Sequence, residues 1–117
     1  MLRLFRAVIN SCRGFRAAFQ SEEALRQELV VLAVAVPAAF LLAQDSWKRL
    51  ALIGSLVILL VVELLNTAIE KLADRVSREN DLQIGEVKDM GSAAVGLGIL
   101  IAAVVWLLAF AEWLELI

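Results

Sequence analysis

At 117 residues, with 62% of them hydrophobic, a mean hydropathy of +0.83 and a net charge of −2, the chain is one small unit far more apolar than a soluble domain. A single cysteine, Cys12, and no histidine exclude a disulfide framework and a Cys/His metal site. Any metal therefore falls to carboxylates, which favours a hard cation such as Mg²⁺.

Residues 1–20 place Phe5, Val8, Ile9, Cys12, Phe15 and Phe19 at helical spacing, with Arg3, Arg6, Asn10 and Arg13 on the other side. That pattern predicts an amphipathic helix lying in the membrane interface, its arginines reaching anionic headgroups. Gly14 weakens its middle, and Arg16 projects near the edge of the apolar face, toward lipid phosphate or neighbouring protein. Spacing alone reads this helix as an anchor, not as a site for any one arginine. The arginines are scattered rather than grouped ahead of an apolar core, so no cleavable signal peptide is expected.

Ser21 is a good N-cap for a second helix, and Glu22 and Glu23 suit its positive end. Glu22 can pair with Arg26, and Glu23 with Gln27, one turn on. The apolar run 29–43 is short for a span, but the turns from Glu22 complete a first transmembrane helix over 22–44. Pro37 should kink it, not end it. The polar link 44–49 is tight, so the second helix, 48–76, returns antiparallel and extends beyond the membrane. The charged segment 70–89 follows, with a break expected at Gly85. A third helix, 87–115, holds the uncharged run 91–111, where Ser92, Ala94, Gly96, Gly98 and Ala102 make small-xxx-small pairs for close packing.

Nine of the eleven basic residues lie in the N-terminal segment or in 70–89. The positive-inside rule then puts the N-terminus in the cytoplasm and the C-terminus outside. Trp47 and Trp113 fall at the outer interface, and Glu112 and Glu115 there read as solvated charges. Glu22, Glu28, Glu70, Asp74, Lys88 and Asp89 gather at the inner surface. Three thin helices enclose little, so self-association is expected.

The second helix carries the chemistry. At about 100° per residue, Glu63, Asn66, Glu70 and Asp74 fall on one stripe roughly 80° wide. An acid inside an apolar run needs a partner or a wet cavity. Glu63 either serves a reaction, bonds a neighbouring helix or faces the cytoplasmic boundary. Asp74 reads equally as an ion-pair partner of Lys71 or Arg75. No G-x-x-x-x-G-K-[ST] loop, kinase glycine loop or G-x-S-x-G elbow occurs. An acidic pair, a Lys88-Asp89 step and a half-buried carboxylate suffice for phosphoryl transfer, and they also suit a proton-coupled transporter.

The blocks Glu63-Leu64-Leu65-Asn66-Thr67-Ala68-Ile69-Glu70, Asp74-Arg75 and Lys88-Asp89-Met90-Gly91-Ser92-Ala93-Ala94-Val95 resemble the prokaryotic diacylglycerol kinase family. Gly14 to Phe19 and Glu22 to Glu28 match as well, so the resemblance covers nearly the whole chain. It implies an all-α inner-membrane homotrimer, each subunit a single domain (1–117) with a surface helix and three transmembrane helices. Active sites would be shared between subunits and would pass the γ-phosphate of ATP to diacylglycerol. Glu63 would be the catalytic base, supported by Asn66 and Asp74, and Glu22 and Glu70 would hold Mg²⁺ with the nucleotide. The resemblance puts Arg3, Asn10, Glu79, Asn80, Asp81, Lys88 and Asp89 at ATP. It puts Arg3, Arg16, Glu28 and Ser92 at the lipid beside Glu63. Relatives often carry aromatics where Asn10 and Asn80 stand, so the contact to the nucleotide base is either a hydrogen bond or a weak one, and the choice of nucleotide stays open. An undecaprenol kinase is the alternative within the same scaffold. Neither reading involves nucleic acid.

Overall fold

The computed structural model describes residues 1–77 and 81–117; among these it contains four α-helices and no strand. They are α1 (Leu2–Ser21), α2 (Glu23–Leu42), α3 (Ser46–Val76) and α4 (Leu82–Trp113). The last three are long and apolar enough to cross a membrane, whose hydrocarbon core takes about 20 residues. α2 continues through Pro37, as embedded helices tolerate.

Ser21 is the last residue of α1 and not a cap for α2. The joint is Glu22 alone, extended at φ −120° and ψ 114°, with its N–H on Ala18 O at 2.9 Å. Arg26 does not pair with Glu22. Its Nη1 donates to Phe19 O at 2.7 Å and to Gln20 O at 3.3 Å. The carbonyls at the end of α1 have no partner within the helix, so a cation there satisfies two at once. The Glu23–Gln27 contact forms as expected, with Nε2 donating to Oε1 at 3.5 Å.

Arg49 closes α2 in the same manner, Nε donating to Ala43 O at 2.9 Å, while the Asp45 side chain accepts the Trp47 N–H and starts α3. Gly85 breaks nothing. α4 starts at Leu82, not at residue 87, because Asp81 Oδ1 accepts the N–H groups of Gln83 and Ile84 at 2.9 and 3.3 Å. Such a cap supplies about 1 kcal/mol, comparable to what one interior glycine costs a helix. At its far end α4 stops at Trp113, before residue 115.

α3 and α4 form an antiparallel pair, the main interface of the fold. Lys48 pairs with Glu112, Trp106 Nε1 donates to Leu52 O at 3.0 Å, and Asp74 pairs with Lys88. These contacts descend along α4 as they ascend α3. Glu112 is thus an ion-pair partner, not merely a solvated charge, and Trp47 and Trp113 share one end of the molecule. Gly91, Gly98, Ala102 and Ala109 are the buried residues of α4 and fall within about 40° on a helical projection. Of the expected small residues only Gly98 and Ala102 belong to this seam; Ser92, Ala94 and Gly96 are exposed. The seam starts at Gly91, and each step along a helix turns about 100° away.

Within a bilayer, packing and interhelical hydrogen bonds hold such helices together, at about 0.6 kcal/mol per bond and up to about 1.7. Trp106→Phe is expected to lower stability by about that amount, read as an earlier midpoint of unfolding in mixed micelles.

Two apolar knots tie α2 to the pair. Ala39, Ala43, Leu52 and Ala109 form one, and Ala18, Leu25 and Leu60 the other. The second also docks the end of α1, whose Phe5, Val8, Phe15 and Phe19 remain exposed in the single chain. Between the knots α2 stands away from α4 and leaves an open groove.

Candidate active site

That groove has a volume of about 630 Å³ and an apolar lining, with Val30, Val34 and Ala38 from α2, Leu56 from α3 and Ala103 and Trp106 from α4. It adjoins a second cavity of about 310 Å³; Val31, Leu56, Leu59 and Ile99 line both. Glu28 from α2 and Glu63 from α3 line the second cavity together, with Gln27 beside them. The two expected lipid-side carboxylates therefore meet where an apolar groove ends. They repel each other electrostatically, and Glu28 Oε2 is buried without a hydrogen-bond partner among the described residues.

Helical geometry puts the rest of the stripe below. Asn66 and Glu70 follow Glu63 on α3, half-buried, and Asp74 is exposed. Asn66 Nδ2 donates to Glu70 Oε1 at 3.2 Å. A carboxylate without its proton only accepts, which fixes the amide with its NH₂ toward Glu70. Glu63 also feels the charges of Glu70 and Glu22. Acids from the α1–α2 joint, α2 and α3 thus act on one another at the end of the bundle that α1 joins.

Among the described residues no three metal-ligating side chains stand grouped as a ready metal cage. The donor chemistry still fits Mg²⁺, which characteristically takes one or two carboxylates and completes its shell with water and phosphate oxygens. Of the four acids in this cluster, Glu22 and Glu70 are the two expected as its ligands.

The nucleotide-side residues are partly engaged elsewhere. Lys88 pairs with Asp74 at 2.5 Å, and neither Lys71 nor Arg75 takes that role. Asp81 caps α4, and it borders an open recess of about 330 Å³ with Gly85, Glu86 and Asp89. Arg3, Asn10 and Arg16 are exposed on α1, and among the described residues no ion pair joins Arg3 or Arg16 to the acids. Ser92 is exposed on α4. Glu79 and Asn80 lie outside the described residues.

Sequence reasoning missed Gly91. A Cβ there would overlap Asn66 Oδ1 and lie 3.3 Å from Asn66 Cγ. The groove-lining valines and leucines were also missed, because apolar residues within apolar spans carry no distinguishing signal.

Fold and site together define a small helical membrane protein whose carboxylates stand between an apolar groove and a charged helical extension. Residues 9–110 match the family model described as prokaryotic diacylglycerol kinase. Among curated relatives, the diacylglycerol kinase of Escherichia coli (strain K12) is 42% identical over 104 residues, covering 89% of this chain and 85% of the relative. That of Pseudomonas aeruginosa is 41% identical over the same shares, and that of Haemophilus influenzae is 33% identical over 96 residues, 82% of this chain and 81% of the relative. The chain belongs to the prokaryotic diacylglycerol kinase family.

Proposed function

We propose that this protein transfers the γ-phosphate of ATP to the free hydroxyl of a diacylglycerol, giving phosphatidate and ADP. One observation carries the reading: Glu63 and Glu28 line a cavity that shares Val31, Leu56, Leu59 and Ile99 with an apolar groove. A lipid with its acyl chain along α2 and α4 would present its hydroxyl to the acid pair. A soluble nucleotide would approach from the charged end.

In the reaction Glu63 takes the proton from the lipid hydroxyl, whose oxygen forms a bond to the γ-phosphorus as the bond to the β-phosphate oxygen breaks. Glu28 holds the glycerol next to it. Glu22 and Glu70 would hold Mg²⁺, which would neutralise charge on the phosphates. Asn66 orients Glu70. Lys88 and Asp89 hold the nucleotide, with Lys88 exchanging Asp74 for a phosphate oxygen, and Asp74 supports the stripe. Arg3, Arg16 and Ser92 serve the headgroup side, while Asn10, Glu79, Asn80 and Asp81 serve the nucleotide side.

The exposed apolar faces of α1 and α4 fit a homotrimer with shared active sites, α1 lying at the surface. The basic residues favour an inner-membrane protein with a cytoplasmic N-terminus and a periplasmic C-terminus.

The test supplies purified protein in mixed micelles with ATP, Mg²⁺ and, in separate arms, diacylglycerol and undecaprenol. Phosphatidate as the faster product is the expected outcome. Faster polyprenol phosphorylation makes the protein an undecaprenol kinase. Ion flux in liposomes without ATP, and without a lipid product, makes it a transporter.

A further inference from the structure

From the contact between α3 and α4 we infer that Gly91 is a positioning residue: by carrying no side chain it provides the notch that holds the Asn66 amide in register with Glu70. The inference rests on the reading of Glu70 as a metal–nucleotide ligand.

Three observations meet at this point. Asn66 Nδ2 donates to Glu70 Oε1 at 3.2 Å. The other end of the same amide, Oδ1, is buried with no hydrogen-bond partner among the described residues. The space it occupies is where a Gly91 Cβ would stand, and among the described residues, α4's own backbone and the residues flanking Gly91 aside, Asn66 supplies the only atoms within 4 Å of that position. Gly91 is buried in the α3–α4 seam, so α4 sets where the amide lies.

Leaving Oδ1 unpaired is costly, because a buried acceptor loses its water and gains nothing in return. The opposite amide orientation is worse still. It would turn an oxygen toward the Glu70 carboxylate and its donors toward the Gly91 backbone. The amide thus gives up one acceptor to keep one donor on Glu70, leaving the rest of that carboxylate free for a ligand. Any side chain at Gly91 removes this arrangement. Asn66 must rotate about χ1 or χ2, and its NH₂ leaves Glu70.

Gly98 provides the matched control. It lies on the same seam, and a Cβ there would meet Leu59 Cδ1 at 3.0 Å, the far end of a flexible side chain seven residues, about 10 Å, along α3 from Asn66. If Gly91 mattered only for helix packing, alanine at either glycine would act alike.

The experiment measures binding of Mg²⁺ with a non-hydrolysable ATP analogue to the purified full-length protein in micelles, alongside KM, kcat and the thermal midpoint. Gly91→Ala is expected to weaken analogue binding and raise KM for Mg–ATP by about 10-fold, the worth of a hydrogen bond to a charged group, with a smaller change in kcat. Gly98→Ala should shift the thermal midpoint and leave analogue binding unchanged. Asn66→Ala removes the obstructed amide, so adding Gly91→Ala to it should weaken binding no further. The double variant also relieves the overlap, so it reports even if Gly91→Ala alone folds poorly. Normal analogue binding by Gly91→Ala overturns the inference, as does an additive loss in the double variant. Absence of lipid phosphorylation in the parent protein overturns the functional reading instead, and analogue binding separates the two.

Discussion

Glu63→Gln is expected to lower turnover by about 10²- to 10⁴-fold, the usual worth of a positioned general base, while binding of Mg–nucleotide stays near that of the parent. The amide is the same size as the carboxylate, so the cavity shared with Glu28 and its border with the apolar groove survive. What disappears is the group proposed to accept the lipid hydroxyl's proton in the chemical step. The neighbouring charge also changes: Glu63 repels Glu28 and feels Glu22 and Glu70, so neutralising it leaves the metal-side acids no worse placed. Loss confined to the chemical step lowers kcat and kcat/KM together. Initial rates at saturating lipid and ATP, with analogue binding measured in parallel, check this. Near-normal turnover would remove Glu63 from the chemistry and leave Glu28 as the acid next to the hydroxyl.

Glu70→Gln should separate cleanly from that result. Its amide still occupies the position facing Asn66, but the negative charge proposed to attract Mg²⁺ is gone. Loss of a residue that merely supports a metal ligand costs about 10- to 100-fold in metal affinity, and a ligand itself should cost at least as much. The expected signature is a raised KM for Mg–ATP that excess Mg²⁺ partly restores. Titrating Mg²⁺ at fixed ATP reads it directly. An unchanged Mg²⁺ dependence would place the metal on other acids.

The two variants divide the stripe as the fold does. Glu63 borders the apolar groove, and Glu70 lies about two turns away toward the charged extension, some 10 Å along the axis at 1.5 Å per residue.

This polarity along α3 is legible in the amino-acid sequence. An acid in an apolar run, followed at helical spacing by an amide and two more acids, sets one polar stripe against an apolar surround. The antiparallel return of α3 is legible too, since residues 44–49 are too few for anything else. What local spacing does not reveal is decided by competition among polar groups. Arg26 lies one turn from Glu22 and suits it as a partner, yet unsatisfied carbonyls at the end of α1 take it. Gly85 reads as a break because propensity is local, whereas the Asp81 cap starts the helix ahead of it. Lys88 reaches Asp74 only because α4 lies against α3. The same dependence on register hides Gly91, whose meaning lies in the residue across from it.

The joint at Glu22 has a consequence for how this chain can vary. A single extended residue links two helices of 20 residues each, and the carboxylate it bears belongs to the acidic cluster. There is no slack to absorb an added amino acid. One inserted extended residue would lengthen the link by about 3.3 Å, carry Ala18 out of its knot and displace the Phe19 and Gln20 carbonyls from Arg26. Exchange of side chains at this elbow is tolerable; a change in its length is not.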